Sequence, residues 1–378
     1  MVTQKAISLY NKTYQSMLDR THEDGYADTS ITGHYNGMFC RDTSIQIMCH
    51  IAHGDYDQAR KLMNYIIGYH ETHGYDFAIH VIYENDAPPS LRKQADTAFF
   101  FIHAWVMYMN AAPQSAEKDA FLASSYSMIQ KFANYYLDAG NLDNPYEMLY
   151  NECLEHSRDG SYFYCYDLLT NVYASQALHE LATLVADCDP ENAKKWEAAA
   201  TKIVGGVHKF LTAEVDGKKI YCELIGRSHK AVHENANATT RYIRGFSWVN
   251  LAPMGCDWYG ADPEILENTY QMYLKYGACD YYNTNYMLDV CTQFETTLAP
   301  IDRGGHVIGK GLAWEMLYCK KMGYTERLAE LTKFVEDFSE DMYRETWHYV
   351  GGGSDTANQE HASWMLYTHK TIYPELGQ

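Results

Sequence analysis

The chain has 378 residues, 47% of them hydrophobic, which excludes a disordered polymer and leaves enough apolar surface for one large core or two ordinary ones. Its formal charge of −19 repels nucleic acid phosphates and anionic membranes, and argues mildly against a polyanionic substrate. No run approaches the roughly 18 apolar residues of a transmembrane helix. The N-terminus, MVTQKAISLYNKTYQSMLDR, has scattered charges and no apolar signal core, so a cytoplasmic protein is expected, or one whose leader has been removed.

In chain order, helical periodicity predicts helices near 3–20, 39–53, 55–71, 92–110, 115–138, 164–187 and 190–213, then near 241–252, 262–277, 306–322, 325–342 and 357–370. Short junctions separate several neighbours: Gly54-Asp55, Asp189-Pro190 and Gly323-Tyr324-Thr325 each read as a helix stop followed by a start. Longer connections rich in Gly, Pro, Asn and aromatics fall at 21–38, 72–91, 139–163, 278–304 and 343–356, and Asp216-Gly217 marks a small β-excursion over 214–224. Alternation of short and long connections predicts helical hairpins set around a ring, with the elaborate loops at one end. Loops of that length are usually functional. No linker divides the chain, so residues 1–378 are expected to form a single all-α domain.

Ten cysteines lack a CxxC pair or a cluster at metal spacing, so buried free thiols are expected rather than structural zinc. The aromatic set is dominated by 34 Tyr, with 7 Trp and 13 Phe. Tyr and Trp combine an apolar face with a polar edge, which suits sugar rings, although most of the tyrosines are assigned to helix interfaces.

Three clusters could carry chemistry. Arg41 and Asp42 end a long loop and open an apolar helix; together they can grip adjacent sugar hydroxyls, or Asp42 can simply cap the helix. The run from Tyr150 to Gly160 is the densest in acids, with Glu155, Arg158 and Asp159 followed by Tyr162, Phe163 and Tyr164. A carboxyl set among such rings is raised by desolvation, as a glycosidase acid requires, and the competing reading is a solvated turn. Glu345 lies between Tyr343 and Trp347, placed to hold a water against a stacked sugar, and Glu360, opening the next helix, is its rival. Gln94 and Asp96, Trp248, and Trp364 complete the candidate substrate contacts, each also readable as a core or capping residue.

The order of these elements resembles that of the six-hairpin (α/α)6-barrel glycosidases, the group of trehalases, processing α-glucosidases, glucoamylases, α-rhamnosidases and exo-α-mannosidases. CRDTSIQIM resembles their "RDS/RDT" element, and SRDGSYFYCYDLLTNVYASQAL resembles the mannosidase stretch that holds the catalytic acid, placing Asp159 there. ECLEHSR is similar to the trehalase and processing-glucosidase "ESGxDxSxR", which points to Glu155 instead. MYRETWHYVGG…HASWM is similar to the segment carrying the base, which implies Glu345. The acid motif departs from the mannosidase pattern in lacking the doubled aspartate.

The resemblance implies an exo-acting, inverting hydrolase of a terminal neutral sugar, with no metal or organic cofactor and a small oligosaccharide or glycoside as its partner. An inverting acid–base pair stands roughly 6.5–9.5 Å apart. Two rivals use the same toroid: a sugar epimerase or polysaccharide lyase working through His34, His80, His156, His306 or His348, and a non-catalytic carbohydrate-binding protein.

Overall fold

A computed structural model describes residues 2–30, 35–84, 87–91, 94–138, 142–154, 162–228, 248–277, 306–348 and 359–377. The chain divides into two compact units, residues 1–91, 100–133 and 306–378 in one, residues 92–99 and 134–305 in the other.

The long helices are α1 (Gln4–Asp19), α2 (Cys40–His53), α3 (Tyr56–His73), α4 (Ala95–Ala111), α5 (Ala116–Asp138), α6 (Leu168–Val185), α7 (Pro190–Phe210), α8 (Pro263–Met272), α9 (Gly309–Met322), α10 (Thr325–Phe338) and α11 (Gln359–Ile372). Two kinds alternate. Twelve of the 14 residues of α2, 14 of 18 in α6 and 10 of 14 in α9 are buried, whereas α1 buries 5 of 16, α3 6 of 18, α7 7 of 21 and α10 4 of 14. A helix apolar on all sides needs packing on all sides, and one with a single apolar stripe keeps its other face in water. Each buried helix is thus followed by an amphipathic one along α2–α3, α6–α7 and α9–α10. The junctions read from the sequence are the turns of these pairs: Gly54 and Gly323 end α2 and α9 with φ of 76° and 74°, and the Asp55 and Asp189 side chains cap α3 and α7.

Short antiparallel strands feed the buried helices. β1 (Met38–Phe39) pairs with β2 (Val81–Ile82) and runs directly into α2. β3 (Asn151–Leu154), β4 (Tyr162–Asp167) and β7 (Leu224–Ser228) form a sheet in the order β3-β4-β7, and β4 runs into α6. β8 (His306–Ile308) pairs with β9 (Thr346–His348) and runs into α9. The helices expected at 164–187 and 306–322 therefore begin later, at Leu168 and Gly309. The preceding aromatic and β-branched residues pair with strands distant in sequence, and that pairing wins over local periodicity. Part of the connection expected at 139–163 is likewise strand, and the described part of 241–252 is a 3-10 turn, Trp248–Leu251, followed by a helical turn, Ala252–Gly255. The excursion near 214–224 is a two-residue hairpin between β5 (Thr212–Val215) and β6 (Lys218–Tyr221), with Asp216 and Gly217 both at positive φ (51° and 72°), as a type I′ turn requires. Among the described residues, seven cysteines are free, Cys40, Cys49, Cys165, Cys222 and Cys319 buried.

Two adjacent glycines of α7 make a matched test of packing. A Cβ on Gly206 would lie 2.5 Å from the Tyr146 carbonyl oxygen and 2.9 Å from that of Glu147, while one on Gly205 meets nothing within 4 Å. Gly206→Ala is expected to cost about 1–3 kcal/mol. Gly205→Ala should stabilise the exposed helix face by up to about 1 kcal/mol. Urea midpoints of the two variants check this pair; equal shifts would show that the close approach of 146–147 does not matter.

Candidate functional site

The N-termini of α2, α9 and α11 and the residue preceding β9 bring together a set of ionisable groups in one unit. Arg41 Nη2 lies 3.3 Å from Asp42 Oδ1 and 3.4 Å from Glu360 Oε2. Lys310 Nζ forms an ion pair with the other oxygen of Glu360, Oε1. The Arg41, Asp42, Lys310 and Glu360 side chains are buried, so two cations and two carboxylates compensate one another with little water. Burial, then the neighbouring Glu360, pushes the Asp42 carboxyl well above the usual range, against the pull of Arg41 and Lys310. Burial lowers the Lys310 ammonium, and Glu360 opposes that shift.

Glu345 differs from the other acids. Its side chain is 18% exposed against 2% for Glu360. Tyr35 Oη donates to its carboxylate, 3.2 Å from Oε1 and 3.3 Å from Oε2. Its backbone carbonyl accepts from Gly309 N–H at 2.9 Å, an extension of the β8–β9 pairing that fixes Glu345 beside the start of α9. His361 Nε2 lies 3.9 Å from Glu345 Oε1. The Lys310 backbone N–H donates to His361 Nδ1 at 3.1 Å, so that nitrogen carries no proton and Nε2–H is directed at the carboxylate side. Burial drives the His361 pKa down to about 3, against the attraction of Glu360, and the ring is neutral.

A second polar cluster belongs to the other unit. Asp167 caps α6, its Oδ1 accepting from Thr170 N–H at 2.6 Å, and Asn151 Nδ2 donates to Asp167 Oδ2 (3.3 Å) and Thr170 Oγ1 (3.0 Å). Asn171 clamps residue 149 on both sides: Leu149 N–H donates to its Oδ1 at 2.7 Å, and its Nδ2 donates to the Leu149 carbonyl at 3.1 Å. Burial raises the Asp167 carboxyl to about 6, with the Asp96 charge adding to the rise and hydrogen bonds from Thr170 and Asn151 opposing it. Gln94 and Asp96 are both buried at the start of α4.

Of the residues singled out from the sequence, the structure brings Arg41, Asp42 and Glu360 into one ion-paired group, with Glu345 joined to it through the Gly309-Lys310 backbone and His361. Asp96 acts on Asp167 instead, and Gln94 is buried beside it at the start of α4, its backbone carbonyl accepting from the Tyr136 hydroxyl at 3.4 Å. Glu155, Arg158 and Asp159 lie outside the described residues, between the ends of β3 and β4, and so do His34 and His156. Trp248 opens the 3-10 turn and Trp347 is the middle residue of β9, opposite Val307. Trp364 is fully buried, edge-on to Trp314 at 5.5 Å, because α11 is covered on nearly every side. His80 is buried, its ring edge-on to Phe39 at 5.1 Å.

Three residues of the site escaped the sequence reading: Tyr35, Lys310 and His361. Only Lys310 left a signal, as the single charge in the apolar run HVIGKGLAW.

No family model matches the chain, and no curated protein matches it. Solved structures do. A glycosidase in complex with glucose superposes with a TM-score of 0.66 at 13% identity, covering 98% of this chain and 99% of its own. A mannosylglycerate hydrolase from Thermus thermophilus gives 0.64 at 10% identity, covering 95% of this chain and 99% of its own. A bacterial glucoamylase complexed with acarbose gives 0.70 at 16% identity, covering 98% of this chain and 56% of its own. At these identities the likeness speaks to the fold: the chain has the all-α (α/α)6 fold of these glycosidases.

Proposed function

We propose that the chain is an exo-acting, inverting glycoside hydrolase that removes a terminal neutral, α-linked sugar from an oligosaccharide or glycoside in the cytoplasm, residues 1–378 serving as one catalytic domain. The observation that carries this reading is the contrast between the acids beside α9. Glu360 has a cation at each oxygen and is sealed from solvent, whereas Glu345 is partly exposed and oriented by the Tyr35 hydroxyl. A general base must reach a water, and Glu345 is the carboxylate that can.

In this reading Glu345 takes a proton from water as the water oxygen bonds to the anomeric carbon. Glu155 or Asp159 protonates the departing oxygen as the glycosidic bond breaks. Arg41 and Asp42 hold sugar hydroxyls, with Gln94, Asp96, Arg158, Trp248 and Trp347 as further substrate contacts, and no cofactor is required. The likeness in fold to a glucoamylase and a mannosylglycerate hydrolase supports the substrate class.

Glu345→Gln keeps the shape and removes the base, so turnover of a panel of aryl α- and β-glycosides should fall about 100-fold or more. The first-formed sugar, followed by NMR, should have the opposite anomeric configuration to the substrate. Retained configuration overturns the inverting assignment, and wild-type turnover in E345Q overturns Glu345 as the base.

A further inference from the structure

We propose that His361 is a positioning residue that holds the attacking water against Glu345, a role that rests on Glu345 being the base. At 3.9 Å, His361 Nε2 and Glu345 Oε1 are too far apart for a direct hydrogen bond and close enough for one water to touch both. The Lys310 N–H on Nδ1 fixes the proton on Nε2, so the imidazole offers a donor and the carboxylate an acceptor to the same point.

A water there accepts from Nε2–H with one lone pair and donates one O–H to Glu345. Its second lone pair remains for the anomeric carbon. On attack the new C–O bond forms, the bridging proton passes to Glu345, and the glycosidic C–O bond breaks with protonation of the leaving oxygen by the acid. His361 ends the step as it began. The neutrality of the ring suits this task, since burial and the nearby Lys310 and Arg41 charges disfavour the imidazolium, which would carry a proton on Nδ1 facing the Lys310 N–H.

The two ring nitrogens can be tested separately. His361→Asn keeps an oxygen able to accept the Lys310 N–H but has no group at the Nε2 position. His361→Gln places an N–H donor near Nε2 and gives up the contact to Lys310. If His361 positions water, H361N loses about 10–100-fold in kcat with KM within about twofold of wild type, and H361Q recovers most of that loss. If His361 merely braces the start of α9, the order reverses: H361N is active and H361Q is impaired, and the proposal falls. It falls equally if H361Q is as slow as H361N.

Should both variants fail to fold, long-range proton–nitrogen NMR of the wild-type protein reads the tautomer directly, and a proton on Nδ1 overturns the proposal. E345Q is assayed in parallel. Wild-type turnover in E345Q removes the base reading itself, whereas an inactive E345Q leaves the His361 variants to decide.

Discussion

Lys310→Met is expected to cost about 3–5 kcal/mol of stability, because it leaves Glu360 buried with half of its compensation gone. The Lys310 side chain is wholly buried and Glu360 nearly so, and the remaining cation, Arg41, is shared with Asp42. The size of the loss comes from the stranded carboxylate, not from the intrinsic strength of the pair. Adding Glu360→Gln to K310M should therefore recover part of it, with a coupling of about 0.5–3 kcal/mol between the two positions. Glu330→Ala is the control. Its partner Arg327 lies at 3.3 Å, but Glu330 is 63% exposed, and such pairs contribute less than about 1 kcal/mol. Urea midpoints of wild type, K310M, E360Q, K310M/E360Q and E330A check the set, the first four closing the cycle that gives the coupling. A K310M midpoint close to that of E330A would show that the buried pair is not compensating anything.

Acid should destabilise the protein from about pH 6 downward, well before ordinary carboxylates titrate. Burial lowers His50 and His361 to about 3 and His70 and His369 to about 4, from an ordinary value of 6.5. His70 shows the cause most fully: its Nδ1–H donates to the Ile66 carbonyl at 2.6 Å and its Nε2 accepts from Ile79 N–H at 2.9 Å, so a second proton has no place to go. A group lowered in the folded state holds its full stabilisation above the unfolded value and loses it as pH falls towards the folded one. Asp42 and Asp167 act in the opposite direction, since both are raised and the folded form keeps their protons longer. These four histidines against the two aspartates leave a net uptake of about two protons on unfolding near pH 5, or about 3 kcal/mol per pH unit, and His53, also lowered by burial, adds in the same direction. Above the unfolded value of 6.5 the histidine contribution levels off while Asp42 continues to oppose, so stability should peak close to neutrality. Guanidinium midpoints at half-unit intervals from pH 4.5 to 7.5 measure the slope; a flat profile below pH 6 would rule out neutral buried histidines as its source.

Much of the helical framework is legible in the sequence because its signals are local. Gly54-Asp55 and Asp189-Pro190 stop one helix and start the next by their own conformational preferences and hydrogen bonds. The strand-to-helix junctions are not local. Tyr164 to Asp167 continue the apolar pattern of α6 without a break, and what makes them a strand is pairing with Leu224–Gly226, about sixty residues on. His306 to Ile308 depend in the same way on Thr346–His348.

The site divides along the same line. Arg41, Asp42 and Glu345 sit in recognisable short motifs, whereas Lys310 acquires its role only through Glu360, and His361 only through the Lys310 backbone and Glu345. Trp364 shows the same dependence on distant packing. The sequence leaves it readable as a substrate contact or as core, and its burial comes from Phe100 and Trp314, which lie far from it along the chain.

The Asn171 clamp has a consequence for how this architecture can diversify. Leu149 on the way into the β3–β4 hairpin and Asn171 in the first turn of the helix that follows it are tied by two hydrogen bonds, so both ends of the hairpin are anchored to one piece of backbone. Asn151 and Cys165 then keep their register because the backbone beside each of them is held at one place, whatever the sequence supplies between residues 154 and 162. A change in chain length there leaves the start of α6 in place, so the stretch can vary in length without the core varying with it.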